Sequence, residues 1–163
     1  LAAALKVGNL HELPTRVSAL SAELKNMEKE ITRMKDEAAN AQVAGLFQNA
    51  EEVGGIKIFS LFLSGTAPDA LRKMCDRVRE ETPASVAAIF GEVGGKVTLA
   101  VCCGSEAVKR GLAAGKLVKE IASVAGGTGG GKPDFAMAGI KDATKIDEAI
   151  AAVPGIVRGM LAL

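Results

Sequence analysis

From Val17 onward the apolar residues fall at Val17, Leu20, Leu24, Met27, Ile31, Met34, Ala38 and Ala41, in alternating steps of three and four. That spacing is a heptad seam. It predicts a long helical, coiled-coil-like arm opened by Leu13-Pro14-Thr15, with Pro14 in the first turn, where its missing N–H would be unpaired anyway. With Val17 at an a position, Glu23, Glu30 and Glu37 stand at g, and Glu28 and Lys35 at e. A parallel pair of arms would match Glu30 with Lys35 but oppose Glu23 to Glu28, and an antiparallel pair would set Glu against Glu. The seam residues Val17, Leu20, Leu24, Met27, Ile31 and Met34 are therefore dimerisation candidates whose charges specify no one pairing. Packing of the arm on an upstream helix, or on its own globular unit, is the alternative.

Past Gly54-Gly55 the pattern changes, which divides the chain into an arm over residues 1–53 and a globular unit over residues 54–163. Residues 56–63 are apolar on both faces, as an interior strand requires. A helix follows, with Thr66 as its expected cap, Pro68 and Asp69 in its first turn, and Leu71, Met74, Cys75 and Val78 as its buried stripe. Two β-rich runs, 85–93 and 96–103, flank Gly94-Gly95 and predict a hairpin. Residues 105–125 read as one helix with Ala114, Leu117, Val118, Ile121 and Val124 inward and Lys109, Lys116 and Lys119 on the outer face. An extended run follows at 134–140. A helix capped by Thr144, with Asp147 completing the cap, comes next, and Pro154-Gly155 separates it from a short final helix. The fold class expected is an α/β globular domain preceded by a long helical arm.

Composition narrows the function classes. The 163 residues are 48% apolar, with no Trp or Tyr, and carry a formal charge of +1. That charge gives no bulk attraction for nucleic acid, so such a surface must come from local segregation of lysines. Three cysteines, two of them adjacent at Cys102 and Cys103, read as buried reduced thiols of a cytoplasmic protein. A single His and no acidic or Cys cluster give no metal site. No run is long or apolar enough to span a membrane. Residues 1–7 read as the tail of a preceding helix, and a start at Leu1 without Met reads as a piece of something longer. No Ser/His/Asp or Cys/His set stands in a catalytic context.

The remaining feature is the run Gly126-Gly127-Thr128-Gly129-Gly130-Gly131-Lys132-Pro133-Asp134, five glycines in six residues. Such a run costs more conformational entropy to order than any other composition, and it admits close approach by a ligand. A mobile surface loop is the bland reading. Gly126 and Gly131-Lys132 have P-loop spacing, but Pro133 stands where Mg²⁺ coordination needs Ser or Thr, and the run leaves a helix instead of opening one. A dinucleotide fingerprint fails because Lys132 replaces its last Gly.

Taken together, the arm with Glu12-Leu13-Pro14-Thr15-Arg16 at its head, the strands Ile56-Lys57-Ile58 and Val97-Thr98-Leu99-Ala100-Val101, the helix Ala114-Gly115-Lys116-Leu117-Val118-Lys119-Glu120-Ile121-Ala122, and the glycine run followed by Phe135-Ala136-Met137-Ala138-Gly139 resemble the C-terminal domain of bacterial alanyl-tRNA synthetase. That domain is related to the accessory domain of DHH-type phosphodiesterases. The resemblance implies a non-catalytic appendage of an alanine-tRNA ligase whose arm supports dimerisation and whose globular part binds the outer corner of tRNA(Ala), linking aminoacylation with editing. Gly126, Gly127, Gly129, Gly130, Gly131 and Lys132 would lie at that surface, with Lys116, Lys119 and Lys141 reaching phosphates. ATP, Mg and Zn would serve the parent's other domains, and these residues would hold no cofactor. Two positions depart from the family pattern. Ile140 stands where a second Gly commonly follows Gly139, and Lys132 is often Arg, so charge is kept while bidentate phosphate geometry is lost. A purely structural dimerisation module, or the nucleotide-holding accessory domain of a DHH-type phosphodiesterase, are the rival readings.

Overall fold

The computed structural model describes residues 13–46 and 50–162. The expected helix tail at residues 1–7, and His11, lie outside the described residues, as do the side chains of Lys35 and Ala38. The chain divides into two compact units, residues 1–39 and 40–163.

Helix α1 (Leu13–Leu46) is continuous for 34 residues. Of its seam, Val17, Leu24, Met27, Ile31 and Met34 are each at least half exposed, and Leu20 is partly buried. The charges beside the seam act within the helix: Arg33 pairs with Glu30 at 3.1 Å and with Glu37 at 3.5 Å, the i,i+3 and i,i+4 geometry that helps an exposed helix.

The second unit is built on a six-stranded sheet in the order β1-β2-β3-β4-β6-β5. Its elements are β1 (Glu51–Val53), β2 (Ile56–Ser64), α2 (Pro68–Glu81), β3 (Ser85–Val93), β4 (Lys96–Cys103), α3 (Ser105–Lys109), α4 (Ala114–Val124), β5 (Thr128–Gly131), β6 (Phe135–Ile140) and α5 (Ile146–Met160). β2 and β3 are parallel, which the α2 crossover permits, and every other pairing is antiparallel. The interior strand and the β3–β4 hairpin are as the pattern predicted. β1 was not expected: Glu51–Val53 pairs with β2 across Gly54-Gly55, whose φ values of 58° and 78° match those of Gly94-Gly95 at 58° and 77°. Both are two-residue turns with left-handed backbone at each position, so the signal that revealed one hairpin was present for the other.

Two layers of helix bury the sheet. α4 and α5 cover one face, where Ile58, Phe90, Leu99, Val101, Leu117, Ile121, Ala149 and Val153 share one core. On the opposite face Leu71, Met74, Cys75 and Val78 of α2 are buried as the sequence predicted, against β3 and β4. β6 and β5 lie beyond that cover.

Three expected boundaries are corrected. Residues 105–125 are two helices, because Gly111 adopts φ 94° and the N–H groups of Gly111 and Leu112 return to Val108 and Ala107, closing α3 with a left-handed cap. Lys109 therefore lies on α3, apart from Lys116 and Lys119 on α4. Capping residues also shift. Ala67, not Thr66, precedes α2. Asp142 accepts from the Thr144 N–H and hydroxyl to hold a 3₁₀ turn at Ala143–Lys145 before α5, in place of a Thr144 and Asp147 pair. Finally, Pro154 and Gly155 lie inside α5. An interior Pro costs about 3 kcal/mol. Val153 and Val157, fully buried on either side of it, hold the helix through that position.

The glycine run is the largest departure from the loop reading. Gly126 (φ 62°) ends α4: its N–H and that of Gly127 return to Ser123 and Ala122, the same cap that closes α3. Residues 128–131 then form β5, the edge strand on β6. The approach is very close. A Cβ on Gly129 would sit 2.3 Å from the Ala138 Cβ, and one on Gly131 would sit 2.5 Å from the Ala136 Cα. At Gly115 of α4 a Cβ would lie 2.7 Å from the Gly131 carbonyl oxygen. At Gly130 the nearest atom is the Lys119 Cε at 3.8 Å. At Gly127 a Cβ would lie 2.5 Å from the Gly139 carbonyl oxygen, so the run is glycine for packing at 127, 129 and 131 and open at 130.

Substitution should separate these roles. Gly129→Ala and Gly131→Ala should each cost about 1–3 kcal/mol, the usual penalty of overpacking, whereas Gly130→Ala should stay within about 0.5 kcal/mol of the parent. Chemical denaturation measures this, and equal losses at all three positions would contradict the packing described.

Candidate functional site

The turn at residues 132–134 joins β5 to β6 and is held from three sides. The Ala114 and Gly115 N–H groups donate to the carbonyls of Pro133 at 2.8 Å and Lys132 at 3.2 Å. Cys103 N–H donates to the Asp134 carbonyl at 3.0 Å, and Lys132 N–H to the Phe135 carbonyl at 2.9 Å. From α2, Arg79 reaches the Asp134 carboxylate at 2.8 Å and that of Asp76 at 3.2 Å. Helix α4 has no side-chain cap, so the turn's carbonyls take the orphan donors of its first turn. One consequence is electrostatic. The N-terminal N–H groups of α4 are already bonded, and its C-terminal end, which disfavours anions, faces the start of the glycine run.

Beside this turn α2 and the β6–β5 edge enclose a groove of about 390 Å³ lined by Arg72, Asp76, Arg79, Gly130, Gly131, Lys132, Asp134, Phe135, Ala136 and Met137. Its floor is apolar: Phe135 and Met137 are half-buried because no helix covers them on this face. The Arg72 guanidinium lies over the Phe135 ring, 5.1 Å from its centroid, a cation–π contact worth about 0.5–1 kcal/mol at an exposed site. A second cavity of about 590 Å³ shares Asp76, Arg79 and Asp134 with the groove, so the Arg79–Asp134 bridge is the wall between them. That larger cavity adds Glu80, Ser105, Val108 and Cys103, giving three carboxylates against one guanidinium. The smaller groove, with Lys132 and Arg72 at its rim, is the one suited to an anionic ligand.

Of the residues singled out from sequence, Gly130, Gly131 and Lys132 line this groove, and Lys119 arches beside Gly130. Lys116, exposed, stands one residue after the Gly115 that packs on Gly131. Gly126 and Gly127 act as the helix cap and lie at the far end of β5, and Lys141 follows β6 at that same end, roughly 20 Å of strand from Lys132. Arg72, Asp76, Arg79 and Phe135 escaped the sequence reading as site residues. The i, i+4, i+7 spacing puts 72, 76 and 79 on one helix face, but nothing in the sequence brings that face to the glycine run.

All three cysteines are free and buried. Cys102 Sγ lies 3.4 Å from the Cys75 carbonyl oxygen. Burial pushes the Cys103 thiol up to about 12, and a hydrogen bond with Cys102 followed by burial pushes Cys75 well above the ordinary thiol range. Both stay protonated near neutrality and are poor nucleophiles. Among the described residues no group of three or more His, Cys, Asp or Glu is placed to hold a metal ion, and no helix is long and apolar enough to cross a membrane.

Comparison with known proteins gives the lineage. Alanine–tRNA ligase of Bacillus subtilis is 33% identical over 153 residues, 94% of this chain and 17% of that protein. The Geobacillus thermodenitrificans enzyme of the same name is 37% identical over 139 residues, 85% of this chain and 16% of its own length. The chain thus spans about one-sixth of the curated relatives it matches. Among solved structures, the C-Ala domain from Aquifex aeolicus alanyl-tRNA synthetase superposes with a TM-score of 0.62 at 27% identity, covering 67% of this chain and 97% of that one. The DHHA1 domain model matches residues 55–159, which takes in the whole sheet from β2 to β6 together with the groove, and the chain belongs to the DHHA1 domain family.

Proposed function

We propose that this chain is the C-terminal, non-catalytic part of an alanyl-tRNA synthetase, and that it binds the outer corner of tRNA(Ala) and joins aminoacylation to editing. Its relatives bear the ligase name and align with nearly all of it. The observation that carries the RNA reading is the state of β5: an ordered edge strand with bare backbone open at Gly130 and Lys119 beside it. A flat, side-chain-free strand suits the face of a base pair or a ribose edge. With the N-terminal donors of α4 already bonded, phosphates fall to Lys116, Lys119, Lys132 and Lys141, so contact is by shape and backbone more than by sequence. ATP, Mg and Zn belong to the parent's catalytic and editing parts, and the site of action is the cytoplasm.

The arm adds a dimer to this reading. An apolar seam at heptad spacing, at least half exposed at five of the six positions from Val17 to Met34, is the face on which a second copy would pack to form a dimer.

Titration of the chain with tRNA(Ala), and with a minihelix lacking the corner, across several salt concentrations tests the RNA reading. Only the full tRNA should bind well. Gly130→Val should weaken that binding at least about tenfold without lowering stability. Lys119→Ala or Lys132→Ala should each reduce the salt slope by about 0.7–0.9 for every phosphate that is no longer neutralised. Equal, steeply salt-dependent binding to both RNAs would contradict corner recognition. Sedimentation of the same samples tests the arm: the parent should be a dimer, and Leu24→Lys with Ile31→Lys should make it a monomer. A monomeric parent would remove the dimer.

A further inference from the structure

We propose that the groove between α2 and β6 holds one unpaired nucleobase of the bound RNA, stacked on the guanidinium of Arg72. This rests on the RNA-binding reading above and adds to it a stacking subsite that α2 and Phe135 supply beside the glycine strand. Four observations converge on it. Arg72 is exposed, and its guanidinium carbon lies over the Phe135 ring, so the side chain is already drawn to the groove while keeping surface open to a ligand. Arginine planes and aromatic rings are the surfaces on which unstacked RNA bases settle. The floor of Phe135, Ala136 and Met137 is apolar, and the volume of about 390 Å³ lies at the low end of the roughly 300–1,000 Å³ that hold small ligands.

Charge selects the occupant. Three cations line the groove against two carboxylates, and both carboxylates are paired with Arg79. Arg79 is therefore a wall residue that positions the turn, which leaves Arg72 and Lys132 to meet the ligand. One plane and one compact ammonium match a base with its adjoining phosphate. A run of phosphates or an acidic peptide would need more positive charge than this. Phe135 is a positioning residue, because its ring lies under the Arg72 guanidinium.

The test uses the whole chain, with tRNA(Ala), hexa-adenylate, an abasic ribose-phosphate hexamer and hexaglutamate as probes. Hexa-adenylate should bind at least tenfold more tightly than the abasic hexamer or hexaglutamate. Arg72→Lys, which keeps the charge and loses the plane, should lower hexa-adenylate affinity roughly tenfold while leaving the salt slope unchanged. Phe135→Leu should give a similar loss, checked against its thermal stability. Equal affinity for the abasic hexamer or hexaglutamate, or full affinity in Arg72→Lys, would overturn the subsite. If Gly130→Val loses tRNA(Ala) while Arg72→Lys keeps both RNAs at parental strength, the subsite falls and the function stands. If the parent binds hexa-adenylate but shows no preference for tRNA(Ala) over the minihelix, corner recognition falls and the subsite stands. Binding to none of the RNAs rejects both.

Discussion

The close approach of β5 to β6 and α4 is the constraint on which the site depends. At Gly129 and Gly131 there is no room for a Cβ, and Gly115 of α4 must be equally bare to admit the Gly131 carbonyl. That approach brings the Lys132 and Pro133 carbonyls within hydrogen-bonding reach of the first N–H groups of α4. The same turn is tied to β4 through Cys103 and to α2 through Arg79. Helix, strand and turn therefore stand or fall together, and the entropy lost in ordering so many glycines is offset by backbone hydrogen bonds instead of side-chain burial.

This arrangement decides what kind of ligand the edge can take. Many glycine-rich segments bind phosphate through free N–H groups at a helix start. Here those donors already have partners, and the run begins at the helix end that repels anions. What remains is open backbone at Gly130, an apolar floor at Phe135 and Met137, and cationic side chains at the rim. Bases, riboses and scattered phosphates of a folded RNA fit that set better than a polyphosphate does.

Much of the fold was legible in the chain because burial imposes a period. The interior strand at 56–63, the stripe of Leu71, Met74, Cys75 and Val78, and the Gly94-Gly95 hairpin all follow from alternation or helical spacing, and all are present. What escaped were features set by tertiary contact. A short strand such as β1 has too few residues to show a period, although its Gly-Gly turn repeats the other. β5 has almost no side chains, so no hydrophobic pattern could mark it, and only the packing of α4 and β6 makes it a strand. Pro154 looked like a boundary because the local rule is strong, yet the burial of Val153 and Val157 overrides it. Of the site, Gly130, Gly131 and Lys132 were singled out by the glycine run and the family resemblance it carries. Arg72, Asp76 and Arg79 were not, because α2 and the glycine run are some fifty residues apart in sequence and meet only across the folded sheet.

The glycine run is a preformed, clamped strand in the free protein. Amide hydrogen exchange on the chain without RNA tests it most directly, read at Cys103, Ala114, Gly115 and Lys132, whose N–H groups hold the turn and the start of α4. A preformed strand requires these four to exchange far more slowly than unstructured amides and to gain little further protection when tRNA is added. Exchange at unstructured rates in the free chain, with protection appearing only in the complex, would contradict it and make the run a loop that RNA orders.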